Sequence, residues 1–138
     1  MGKVMLLEFP FEYIRVEKLG VLFYPMVRVE LLTTSGWREF EFLVDTGADV
    51  TTIPASVAAI LDLDLSVLSK NVVIGVGGQK VMVKETILPM RIGNMDFKAS
   101  VNITNGGNAF LLGKKDVFEE KFSLIIDSVR KMTTLKRN

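Results

Sequence analysis

The sequence predicts a mostly β protein, a closed or partly closed barrel with two short helices. Three observations lead there. Segments rich in β-branched and aromatic residues alternate with other residues over strand lengths, and Gly, Asn, Ser or Thr clusters separate them at short intervals. Only two segments carry apolar residues at helical spacing. No internal repeat or low-complexity linker divides the 138 residues, a length suited to one domain with a real core.

Taken in order, VLFYPMVRV (21–29) alternates, TTSG (33–36) supplies a turn, and WREFEFLV alternates again. This reads as a hairpin that delivers Asp45 at a strand end. IPASVAAILDL places Pro54 at an expected first helical position, ahead of apolar residues at helical spacing. NVVIGVGGQKVMVKE is a pair of β-rich arms around a glycine cluster, and ETILPMRIGNMDFKASVNI is a second pair turning at Gly93-Asn94. After TNGGN (104–108) come FLLG and KKDVFEEKF, the second expected short helix, and FSLIIDSVRKMTTLK closes the chain as a hairpin.

Composition narrows the chemistry. Apolar residues make up 49%, charged residues 24%, and the net charge is +1, so the charge balance directs the chain to neither nucleic acid nor an anionic membrane. No apolar run has the length of a transmembrane helix. Glu8 and Pro10 interrupt the start as a secretory h-region, and Leu6 breaks the myristoylation pattern, so the expected location is cytoplasmic. The chain has no Cys and no His. That removes disulfides, thiolate nucleophiles, Ser-His catalysis and His- or Cys-ligated metals. What chemistry there is must come from carboxylates, hydroxyls, lysines or backbone.

The segment FLVDTGADVTTIP (42–54) sets a carboxylate at the end of an apolar run, against Thr46 and Gly47. Asp, Thr and Gly are ordinary turn formers, and three residues alone are weak evidence of a site. The strand-like approach adds weight. Gly47 permits a tight backbone pass, Thr46 offers a short hydroxyl, and Asp45 would be held by amides rather than freely solvated. The glycine cluster of 75–78 has the rival reading of a phosphate cradle. The Walker spacing is absent, however: Gly107 and Gly113 are one residue too far apart, and Lys115 stands where a hydroxyl is required.

On VDTGAD (44–49), VIGVGG (73–78) and FLLGKKDVFEEKFSLIID (110–127), in that order, the sequence resembles the retropepsin-like aspartic proteases. The resemblance runs from about Val21 to Leu135. It implies an N-terminal extension at 1–20, a single domain at 21–138 and a barrel of the retropepsin type with a flap hairpin. It further implies an aspartic endopeptidase that uses a water nucleophile, with no cofactor and no metal. Two Asp carboxylates would share one proton, since like charges at contact distance cannot both ionise cheaply. Only one Asp-Thr-Gly is present, because Asp127-Ser128 is followed by Val129. The resemblance therefore implies a homodimer, each copy supplying Asp45, acting on a peptide or protein substrate. It assigns Asp45, Thr46 and Gly47 to catalysis, with Thr46 bonding across the dimer. It assigns Ala48, Asp49, Ile53, Gly75, Val76, Gly77 and Gly78 to substrate binding, with Val76 as the apolar flap tip. Ala48 stands where two-lobed relatives have Ser, which implies activity at less acidic pH. Asp49 normally pairs with an Arg after the second glycine, whereas Lys114 and Lys115 follow Gly113 here, and Lys cannot form a bidentate fork. The alternative on the same fold is a non-catalytic dimeric peptide-binding or assembly module. No nucleic-acid or membrane partner is expected, and the basic residues Arg130, Lys131, Lys136 and Arg137 read as a solvated edge.

Overall fold

The computed structural model describes residues 5–75 and 77–138. Its strands run in chain order as β1 (Leu6–Pro10), β2 (Glu12–Val16), β3 (Gly20–Tyr24), β4 (Met26–Thr33), β5 (Gly36–Val44) and β6 (Thr51–Pro54). They continue as β7 (Ser69–Ile74), β8 (Lys80–Ile92), β9 (Met95–Thr104), β10 (Leu111–Leu112), β11 (Phe122–Asp127) and β12 (Met132–Arg137). The protein is mostly β, as the alternation predicts. Among the described residues no helix is long and apolar enough to cross a membrane.

Seven strands form one sheet in the order β4-β5-β10-β6-β9-β8-β7. The far end of β8 also pairs with β4, through Glu30↔Arg91 and Leu31↔Met90, so the sheet curls back on itself as a partly closed barrel. The interior follows from period-two alternation: Val27, Val29 and Leu31 of β4, Leu88, Met90 and Ile92 of β8, and Ala99, Val101 and Ile103 of β9 all point inward. A three-stranded sheet, β1-β12-β11, caps this core, and β2 and β3 form a separate two-stranded hairpin.

Three features depart from the sequence reading. The run from Val21 to Val29 is two strands, because Pro25 has no N–H for a ladder and splits β3 from β4. Pro54 ends β6 instead of opening a helix; the helical turn that follows covers only Ala55–Val57, and Asp62 in a left-handed conformation stops any continuation. The second expected helix is a short turn over Lys114–Phe118, kinked where Asp116 adopts φ +67°. A further 3-10 turn spans Leu65–Val67, capped by the Asp64 side chain. The N-terminal residues contribute strands β1 and β2. β1 pairs with β12 in antiparallel register, Phe9 is buried in the core, and the limit expected at residue 20 falls within the β2–β3 hairpin.

Candidate active site

Asp45 sits where β5 runs out. Phe42 and Val44 are buried on the core side of β5, so Leu43 and Asp45 face the other way. The strand that backs this end is β10, which threads between β5 and β6, parallel to the first and antiparallel to the second. This strand and the residue before it support the end of β5 from behind. Leu112 is fully buried and its carbonyl accepts the Asp45 amide at 3.0 Å, while the Phe110 carbonyl accepts the Leu43 amide at 2.9 Å.

The turn itself is closed locally. The Gly47 amide donates to Asp45 Oδ1 at 3.0 Å, and the Ala48 amide donates to the Asp45 carbonyl at 3.1 Å. That contact fixes the orientation of the Asp45 carboxylate within the turn. A Cβ on Gly47 would lie 3.3 Å from Asp45 Oδ1, so a side chain there would press on the carboxylate. Asp45 is half-buried, whereas Thr46 and Gly47 are exposed on the surface of the single chain.

Beyond the turn, the chain is clamped to the segment after β10. Lys114 donates its amide to the Ala48 carbonyl at 3.0 Å, and Lys115 donates to the Asp49 carbonyl at 2.8 Å. Lys114 Nζ also lies 3.2 Å from Asp49 Oδ1. The lysine thus supplies a single-point partner to Asp49 where the family pattern has a guanidinium. Asp116, at the kink, accepts the Ser100 amide through Oδ2 at 2.9 Å and ties this segment to β9.

The residue that sequence reasoning missed is Thr51. Its fully buried hydroxyl accepts the Gly113 amide at 3.1 Å, joining the two glycine-bearing segments from inside. Alternation after the turn places Thr51 inward, but its partner lies 62 positions away, beyond any local signal. Gly113 is glycine for contact reasons: a Cβ there would lie 2.5 Å from the Val50 carbonyl carbon and 2.7 Å from its oxygen. Asp127, which is followed by Ser128 and Val129, accepts the Val129 and Arg130 amides and acts as a turn cap.

The remaining predicted residues divide. Gly75, Gly77 and Gly78 are exposed at the tip of the β7–β8 hairpin, where the Gly75 amide donates to the Gln79 carbonyl at 2.7 Å and Gly77 and Gly78 take φ of +84° and +80°. Val76 lies outside the described residues. Ile53 does not reach a peptide-accessible surface in this chain: it is fully buried between β6 and its neighbours, because alternation from Thr51 turns it into the core. Its expected contact with substrate is corrected to a packing role.

Comparisons agree with this geometry. The family model described as "gag-polyprotein putative aspartyl protease" matches residues 33–116. The crystal structure of a retropepsin-like aspartic protease from Rickettsia conorii superposes with a TM-score of 0.62 at 22% identity, covering 99% of this chain and 97% of that one. No curated protein sequence matches the chain at a significant level.

Proposed function

This chain belongs to the retropepsin-like aspartic protease family, and from that premise we propose that two copies together hydrolyse peptide bonds. The observation that carries the proposal is the placement of Asp45: one half-buried carboxylate, held by the Gly47 amide, on an exposed turn backed by buried β10. A single copy offers half of an acid–base pair. A two-fold axis through the turn would bring the second Asp45 against the first, with the exposed Thr46 of each copy available to bond across.

In the paired site the two carboxyls share one proton. The ionised Asp45 takes a proton from water as the oxygen attacks the peptide carbonyl carbon. The protonated Asp45 of the other copy gives its proton to the carbonyl oxygen, forming a tetrahedral diol. Collapse of the diol returns a proton to the carboxyl pair, and the amide nitrogen leaves as an amine after accepting a proton from it. The β7–β8 hairpin would hold an extended peptide by main-chain pairing, with its glycines allowing closure.

The alternative, a non-catalytic dimeric peptide-binding module, drew its motive from the missing arginine. The Lys114–Asp49 contact weakens that motive, because Asp49 has a cationic partner after all. The test is direct. The purified protein should cleave a denatured protein, be inhibited by a statine-type analogue, sediment as a dimer and lose turnover on Asp45→Asn. Cleavage that survives Asp45→Asn removes the enzymatic reading, and peptide binding without hydrolysis from acidic to neutral pH favours the module.

A further inference from the structure

We propose that one side of the β7–β8 hairpin selects acidic peptides, with Lys70, Lys80 and Lys84 pairing with Asp or Glu side chains of an extended substrate. The inference deepens the protease reading above and rests on it. Residues that stand opposite each other in an antiparallel ladder point to the same side of the sheet. Lys84, Thr86 and Leu88 of β8 stand opposite Ile103, Val101 and Ala99 of β9, all three of which are buried in the barrel core. The even-numbered residues of this part of β8 therefore share the interior side. Pairing with β9 ends at Val83, and beyond it the same side continues as Met82 and Lys80, with Lys70, Val72 and Ile74 opposite on β7.

Burial on the two sides of the hairpin is the reverse of what folding alone would favour. On the interior side Val72, Ile74 and Met82 are 47%, 73% and 59% exposed, whereas Val83 on the other side is 2% exposed. That other side also closes its own polar contacts, with Asn71 Nδ2 donating to Glu85 Oε1 at 2.6 Å. Glu85 is the one acidic residue between Ser69 and Glu85, so the interior side carries three lysines and no carboxylate. Among the described residues none of the three lies in an ion pair. Lys70 stands directly opposite Lys84, a like-charge pair that costs stability and that a carboxylate placed between them would relieve. The lysine stems can lie along Met82 and Val72 while their ammonium groups reach outward. A peptide laid against this side thus meets an apolar centre at Ile74 and Met82, with Lys80 toward the tip and Lys70 and Lys84 toward the base. An apolar side chain flanked by acidic ones matches that pattern. The whole chain carries a net charge of +1, so the selection is local and not a bulk attraction for anions.

The experiment uses two peptides with one apolar core, flanked by Glu in the first and by Lys in the second. Wild-type kcat/KM should favour the Glu-flanked peptide by about tenfold at about 50 mM salt and by no more than about threefold at about 500 mM. Lys80→Glu/Lys84→Glu should reverse the order, and Lys80→Gln/Lys84→Gln should level it. Lys98→Glu/Lys136→Glu, with the same change in net charge on exposed positions elsewhere, should keep the wild-type preference. Equal cleavage of both peptides by the wild type, a preference that salt does not weaken, or an equal loss on both peptides in both flap variants overturns the inference. So does a reversal produced by the control variant. Fluorescence anisotropy of the same peptides on the Asp45→Asn protein separates the two claims. Tighter binding of the Glu-flanked peptide that Lys80→Glu/Lys84→Glu abolishes upholds the acidic selection even where hydrolysis is absent, and equal or absent binding sinks it. Failure of wild-type cleavage sinks only the protease reading.

Discussion

The Asp45 turn and the Gly75–Gly78 tip are both glycine-bearing turns beside strands, but the fold restrains them differently. The first is tied to residues far away in sequence: Leu112, Lys114 and Lys115 bond its backbone, and Thr51 reaches Gly113 through the interior. The second bonds to its own hairpin, Gly75 to Gln79 and Gly78 to Gly75, and its glycines have no atom near an added Cβ at Gly77 or Gly78. A site that positions a proton within tenths of an ångström needs the first kind of turn, and a cover that admits a peptide needs the second. On the protease reading, the difference in tertiary ties, rather than glycine content, would separate the floor of the site from its roof.

That contrast can be broken most severely at Asp45. Asp45→Asn keeps the shape of the turn and removes the proton carrier, and turnover should fall by roughly 10²–10⁴-fold or more with little change in melting temperature. The next largest effect is on the floor's packing. Gly113→Ala drives a Cβ to 2.5 Å from the Val50 backbone, where no flexible side chain can yield. It should cost about 1–3 kcal/mol and lower the Tm by roughly 5–10 °C, read by calorimetry. Gly78→Val tests the roof in the same way, with a smaller loss expected. Its φ of +80° penalises a β-branched residue by about 1–2 kcal/mol, but the exposed tip has open space in which to rearrange and shed part of that strain, so Tm should fall less than in Gly113→Ala while kcat/KM falls. A Tm loss as large as that of Gly113→Ala would erase the distinction. Lys114→Ala removes an ion pair whose Asp49 side chain is 89% exposed, and should move Tm by no more than about 2 °C.

The smallest effect is on pH dependence and separates the ends of the chain. Arg130 beside Glu8 and Arg91 beside Asp96 hold those carboxyls below their ordinary values. Their stabilisation is present above the ordinary carboxylate range and is lost as pH falls through the lowered values. Glu12 goes the other way: a hydrogen bond with Glu41 raises it, followed by burial. Its contribution is present below the ordinary glutamate range and is lost as pH rises through the raised value. Arg28 lies across the β4–β5 ladder from Glu41 but is turned toward Glu39, 3.7 Å away. Glu41→Gln should therefore gain Tm relative to wild type as pH rises from 4 to 7, in paired melts across that range.

Much of this was readable beforehand because it is local. Alternation and turn residues locate the β4–β5, β7–β8, β8–β9 and β11–β12 hairpins, and the turn at Gly93-Asn94 falls where Ile92 meets Met95. Asp45 at a strand end, with Gly47 against it, is likewise a statement about adjacent residues. The two helices shrink to single turns because Asp62 and Asp116 adopt left-handed conformations, which no spacing of apolar residues announces. Ile53 is misread as a contact because its apolarity suits pocket and core equally well, and only the direction set from Thr51 decides between them.

Without His or Cys, the amino-acid sequence by itself limited side-chain chemistry to carboxylates, hydroxyls and lysines, and it placed Asp45 at the end of an apolar strand. It also determined most strand boundaries, since backbone period and turn preference act over a few residues. The tertiary structure alone decided that β10 threads behind Asp45, that Gly113 must lack a Cβ, and that the buried Thr51 hydroxyl accepts the Gly113 amide. Those facts depend on contacts between residues tens of positions apart, and their energies exist only once the sheet has closed around them.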